Sequence, residues 1–210
     1  MINKNWNSII EVILVIVIVT IWIIWAYGVL NSWQKLAVTS ENKIKAINIA
    51  REWMEAVSNI RDTNWVKFPS DYSNCWATKD YNWNCIWNST PPFISSWSYI
   101  LIQSWALWYL TWLTANADTL SWSGYMQKFP VYFDVEWLIS QNFNTTQICS
   151  NTKSASCKSI FTREIKIDLN VPNSKMKVNS IVKWYDWSKN VWPHIIDLES
   201  TLTNWKKNLY

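Results

Sequence analysis

Residues 12–30 read VILVIVIVTIWIIWAYGVL, nineteen residues interrupted only by Thr20 and Gly28. As a helix rising 1.5 Å per residue the run spans roughly 28 Å, enough to cross the hydrocarbon core of a bilayer. A cleaved secretory signal would need a cationic start, a shorter apolar core and a small-x-small cleavage site. Here only Lys4 precedes the run and no Ala-x-Ala follows it. A plain membrane anchor accounts for the length. It does not account for Glu11, a carboxylate set between Ile10 and Val12, because an acid inside such a run is costly and points to a function.

Beyond Leu30 the pattern stays helical and becomes amphipathic. Ile44, Ile47, Ala50, Met54 and Val57 recur at spacings of three and four, with Lys43, Lys45, Arg51, Glu52 and Glu55 on other faces. No proline occurs before Pro69, so the spacing predicts one helix from about Ser8 to Ile60, about 80 Å long. Residues 68–90 are polar and loop-like. Strand signals follow near Tyr99–Gln103, Ala106–Leu110 and Val131–Val135. In 161–171 the apolar Phe161, Ile165, Ile167, Leu169 and Val171 alternate with Thr162, Glu164, Lys166, Asp168 and Asn170, a period of two with one buried and one wet face. Val171-Pro172-Asn173-Ser174 supplies the turn, and Met176, Val178, Val182 and Trp184 alternate on the way back. His194–Leu198 reads as a third strand. The fold class expected is α+β: a long N-terminal helix covering an antiparallel sheet.

Two residue counts are abnormal. An ordinary chain of this length carries about 15 glycines, yet only Gly28 and Gly124 occur, while tryptophan occurs 19 times among 210 residues. Many tryptophans stand where a turn calls for glycine: Asn-Trp-Asn at 82–84, Ser-Trp-Ser-Gly at 121–124, Asp-Trp-Ser at 186–188. An indole has no comparable role at such turns. The pattern fits a gene whose UGA codons mean glycine and have been translated as tryptophan. Reading the 14 at positions 6, 22, 25, 33, 53, 83, 87, 97, 105, 112, 122, 137, 187 and 192 as glycine, beside the two present, gives 16. Trp65, Trp76, Trp108, Trp184 and Trp205 remain as indoles. The competing reading is a Trp-rich carbohydrate binder with aromatic platforms. The nucleotide sequence decides: UGG codons at positions 6, 22 and 187 would sink the recoding.

The segment Lys4-Asn5-Trp6-Asn7-Ser8-Ile9-Ile10-Glu11-Val12 resembles the prepilin cleavage and methylation signature of type IV pilins and pseudopilins. That signature is a short basic leader, a glycine, about four residues, a glutamate and a long apolar helix. With Trp6 read as glycine, Glu11 becomes the fifth residue of the mature chain. Asn7 stands where the family usually has phenylalanine, which bears on N-methylation more than on cleavage. Residues 46–65 also look like the second half of the helix in such families. The resemblance implies a leader at 1–6, a transmembrane and assembly half of the helix at 7–30, an amphipathic half at 31–64 and a globular pilin-like domain at 65–210. It implies processing between Trp6 and Asn7 by a prepilin peptidase and assembly through Glu11. The partners it implies are other pilin subunits, met through their N-terminal helices, and the cytoplasmic membrane, with the globular domain outside and then in a cell-surface filament.

The four cysteines fall as Cys75 and Cys85, then Cys149 and Cys157, each pair inside one polar loop. Four cysteines allow three connectivities; pairing within each loop is the expectation. Zinc would want closer spacing and histidine, and the only histidine is His194, so no metal and no cofactor is expected. Disulfides imply an oxidising compartment. The positive-inside rule points the other way, setting Lys4 against Lys35, Lys43 and Lys45, but long domains translocate largely regardless of charge. Net charge is +4 without a basic block, so no nucleic-acid partner is evident. No G-x-S-x-G, G-x-G-x-x-G, Walker loop or H-E-x-x-H occurs with either reading of the tryptophans. His194 lacks a nucleophile motif, and Asp118, Asp134, Glu136 and Asp168 are scattered. The Asn88 and Asn144 glycosylation triplets are common by chance. The expectation is a structural protein, with a membrane-anchored domain binding polysaccharide or a surface partner as the alternative.

Overall fold

The computed structural model describes residues 4–68, 75–79, 94–104, 107–112, 117, 120–133, 139–141, 158–170, 175–185 and 193–204. Its elements, in chain order, are α1 (Lys4–Lys67), β1 (Trp97–Ser104), β2 (Leu107–Trp112), α2 (Trp122–Lys128), β3 (Pro130–Phe133), β4 (Ile139–Ser140), β5 (Lys158–Asn170), β6 (Lys175–Trp184) and β7 (His194–Thr203). The chain divides into two compact units, residues 1–44 and 45–210. The first is the amino-terminal part of α1. The second is an α+β domain in which the rest of α1 packs on an antiparallel sheet.

The strands join in one seven-stranded sheet among the described residues. β5 is its spine. One edge of β5 pairs with β6 from Phe161↔Trp184 to Asn170↔Lys175, and β6 pairs with β7 from Lys175↔Thr203 to Trp184↔His194. The opposite edge holds β1 and β3 end to end, β1 through Trp97↔Ile167 to Tyr99↔Ile165 and β3 through Pro130↔Thr162 and Tyr132↔Lys158. The β3 register shifts between its two pairs, a bulge that lets a short strand re-aim beside a long one. Pro130 opens β3, a place where its missing N–H costs no ladder bond.

The helix-facing layer is the expected one, rotated. Ala46, Ile49, Ala50, Trp53, Ala56, Val57 and Ile60 are buried, while Ile44 is 61% exposed. These spacings also run three and four, but three of the seven residues in the stripe are alanine. Trp53, Ala56, Val57 and Ile60 pack with Tyr99, Leu101, Ile165, Ile167, Met176 and Val178; Ala46, Ile49 and Ala50 pack with Val131, Phe161, Val182 and Trp184. Burying one such Ile or Val contributes about 1.5–3 kcal/mol. At the end of α1, Asn64 donates from Nδ2 to the carbonyls of Trp76 (3.2 Å) and Thr78 (3.0 Å), tying the segment at 75–79 to the helix.

The other face of β5 is drier than its sequence suggests. Thr162 and Glu164, expected on a wet face, are buried. The reason is α2, which begins after the N-cap Ser121. Tyr125 and Phe129 form a second core with Ile100 and Ala117, and Tyr125 donates its hydroxyl to Glu164 at 2.7 Å. Ser98 donates to the other carboxylate oxygen at 2.5 Å. Lys166, Asp168 and Asn170, beyond that cover, are exposed as expected.

The tryptophans divide by burial. Of those read as true indoles, Trp65, Trp76 and Trp184 are buried and Trp108 is half-buried. Of those read as glycine, Trp22, Trp25, Trp33 and Trp97 are exposed. Trp53, fully buried, breaks the division.

Candidate assembly segment

Residues 4–44 of α1 are helical throughout, and one stretch of the helix is long and apolar enough to cross a membrane. Val, Ile and Thr are only moderate helix formers in water; in hydrocarbon the helix is the one single-segment way to satisfy every backbone group. The large apolar side chains from Ile9 to Leu30 are exposed on every side, with Ile9, Ile16 and Ile23 all near 60%. A helix apolar all round is a buried one. Among the described residues of this unit nothing covers these side chains.

Two hydroxyls, one inside the run and one just beyond it, bond to the helix's own backbone. Thr20 donates its hydroxyl to the Ile16 carbonyl at 2.7 Å, and Ser32 donates to the Gly28 carbonyl at 2.9 Å. Each hydroxyl thus finds its partner one turn back on the same helix. Trp22 and Trp25 meet edge to face with ring centroids 6.0 Å apart. A Cβ built on Gly28 would meet nothing within 4 Å, so its side-chain vector points into open space.

Glu11 lies on α1 between Ile10 and Val12, exposed in a run where each neighbour is exposed and apolar. Trp6 and Asn7 belong to the first turns of the same helix, their side chains outside the described residues. All three residues expected to act in processing and assembly therefore share one helix. Sequence spacing had already placed them so, and the helix begins slightly earlier and ends later than the spacing predicts.

Cys75 is disulfide-bonded. Cys85, Cys149 and Cys157 lie outside the described residues, as do Asp118, Asp134, Glu136 and the triplets at Asn88 and Asn144. Asp168 accepts a hydrogen bond from Ser96 at 3.1 Å. His194 stacks on Trp184, 5.2 Å between centroids and 24° between planes. Among the described residues no group of three or more His, Cys, Asp or Glu is placed to hold a metal ion.

The pairing that sequence reasoning missed is Arg163 with Glu52. Parity along β5 puts Arg163 on the apolar face, between Phe161 and Ile165, and that alone was the available signal. The guanidinium is completely buried, 3.6 Å from the Glu52 carboxylate and centred 3.3 Å from the Trp53 ring. Burial raises the pKa of Glu52 above the carboxylate norm, with Arg163 working against the rise.

No protein family model, curated protein or solved structure matches this chain.

Proposed function

We propose that this chain is a type IV pilin-like or pseudopilin-like structural subunit. A prepilin peptidase cuts it between Trp6 and Asn7, and it then leaves the cytoplasmic membrane to join a filament through its N-terminal helix. The observation that carries the reading is Glu11 alone among exposed apolar side chains at the head of a membrane-length helix. An acid in such a run costs about 3 kcal/mol at the bilayer centre and less near its edge. Cleavage at Asn7 creates an amine, and the amine of the adjacent subunit is the partner the family resemblance supplies. Two opposite charges at about 4 Å attract by about 4 kcal/mol at an effective dielectric of 20. Desolvation offsets part of this, so the pair sets register more than affinity. The uncut precursor has no such amine, which couples processing to assembly. The disulfide at Cys75 supports an oxidising location for the domain.

The test is mass spectrometry of natively made protein. An amino terminus at Asn7, methylated or not, supports the reading; an intact Met1, or cleavage beyond Leu30, overturns it. Intact Met1 would favour the alternative, an anchored extracytoplasmic domain that binds polysaccharide or a surface partner and never assembles.

A further inference from the structure

The buried face of α1 contains one misfit. Ala46, Ala50 and Ala56 are small and buried, and among them stands the largest side chain there is, Trp53, with no solvent exposure. Its indole N–H has no hydrogen-bond partner. Opposite it on β5, Arg163 is completely buried, and Nε, Nη1 and Nη2 all lack hydrogen bonds. The carboxylate of Glu52 lies 3.6 Å from Nη1, within ion-pair range but beyond a hydrogen bond. The ring under the guanidinium returns some cation–π attraction. That attraction does not replace five unmet N–H donors on a fixed charge, since a buried charge is tolerated only when paired and hydrogen-bonded. Folded chains keep few unpartnered buried polar groups, yet four nitrogens are unpartnered at this one contact.

We propose that residue 53 is glycine in the protein as its own cell makes it, and that the missing side chain leaves a notch in α1 where Arg163 and Glu52 form a hydrogen-bonded ion pair. The glycine count suggested such a residue at 53 on composition alone. The geometry adds an independent reason and gives the small residue a task. Without the indole, the guanidinium can turn its fork toward the carboxylate, the planar two-bond arrangement that suits both groups, and water can reach the remaining donors. Glycine weakens a helix interior, but here it removes the obstacle to pairing the buried charge. Nothing in this inference depends on cleavage or filament assembly.

Two measurements test it. The tryptic peptide Glu52–Arg61 from natively made protein should carry glycine at its second position; tryptophan there overturns the proposal. In the full chain in detergent, made with tryptophan at 53, Trp53→Gly should melt at or above the parent. An ordinary loss of a buried tryptophan would instead lower Tm by roughly 10 °C, and that result overturns the notch. Arg163→Met reads the pair directly. It should raise Tm in the parent, where it removes an unsatisfied charge, and lower Tm in the Trp53→Gly background, where it breaks a formed pair. The same sign in both backgrounds refutes the ion pair.

Discussion

Residues 9–30 and 46–60 belong to one continuous helix and satisfy their backbones in the same way, yet their surfaces differ. In the first, apolar side chains occupy every face and all are exposed. In the second they occupy one stripe, three of its seven residues alanine, and the charges of Arg51 and Glu55 stay outside. Helix formation is therefore common to both and distinguishes nothing. What separates them is the angular width of the apolar surface, the quantity that decides between lipid and a folded core.

Separating the two regions has the largest expected effect. A fragment of residues 45–210, exported to an oxidising compartment, should be monomeric and water-soluble with a cooperative melt, whereas the full chain should need detergent. Sedimentation and circular dichroism would show it; an aggregated fragment would mean that residues 1–44 are part of the folded core. A single atom pair comes next. Glu11→Gln should leave insertion and processing intact and abolish incorporation into filaments, scored by shear fractions against membranes. Wild-type levels of filament from Glu11→Gln would remove the carboxylate from the assembly contact and strengthen the plain-anchor reading.

The same substitution made in both halves sharpens the contrast further. Ile60→Ala, in the core with Val57 and Ile165, should cost about 2–5 kcal/mol of domain stability. Ile18→Ala, exposed in the first half, should leave the domain melt unchanged. Equal effects on denaturant midpoints would erase the distinction drawn here. The smallest effect is a pH slope. The pKa of Glu52 is raised chiefly by burial, with Glu55 adding to the rise and Arg163 opposing it. In the chain with tryptophan at 53, between the ordinary and the raised value, the folded state therefore holds a proton that the unfolded state has released. Stability should fall as pH rises from about 4.5 through the raised value, then level off. Glu52→Gln should flatten that slope in melts between pH 4 and 7, and an unchanged slope would assign it to other groups.

How far sequence carried the fold depended on whether a residue's surroundings were local. β5 and β6 were legible because alternation is a property of neighbours along one strand, and their ten-residue register runs from Phe161↔Trp184 to Asn170↔Lys175. Thr162 and Glu164 were misjudged by the same rule. Glu164 is covered by Tyr125 and Ser98, 39 and 66 residues away, and Thr162 turns its hydroxyl to the Lys183 carbonyl, 21 residues away. α2 was missed because Ser121-Trp122-Ser123-Gly124 reads as a turn, and its cap bond from Gly124 N–H to Ser121 Oγ is long at 3.4 Å. β4, two residues long, has no pattern to read.

By itself the sequence determined the helix, its apolar width and the place of Glu11, since each follows from residues within a few turns of one another. It also determined the α+β class, through the alternation of 161–184. Only the tertiary structure decided which face of α1 meets the sheet, because the expected and the buried stripes share the same three-and-four spacing and the alanines that mark the buried one carry little hydrophobic signal. Only it brought Arg163 of β5 against Glu52 and Trp53 of α1, more than a hundred residues apart in the chain. No periodicity within one segment encodes a contact between two.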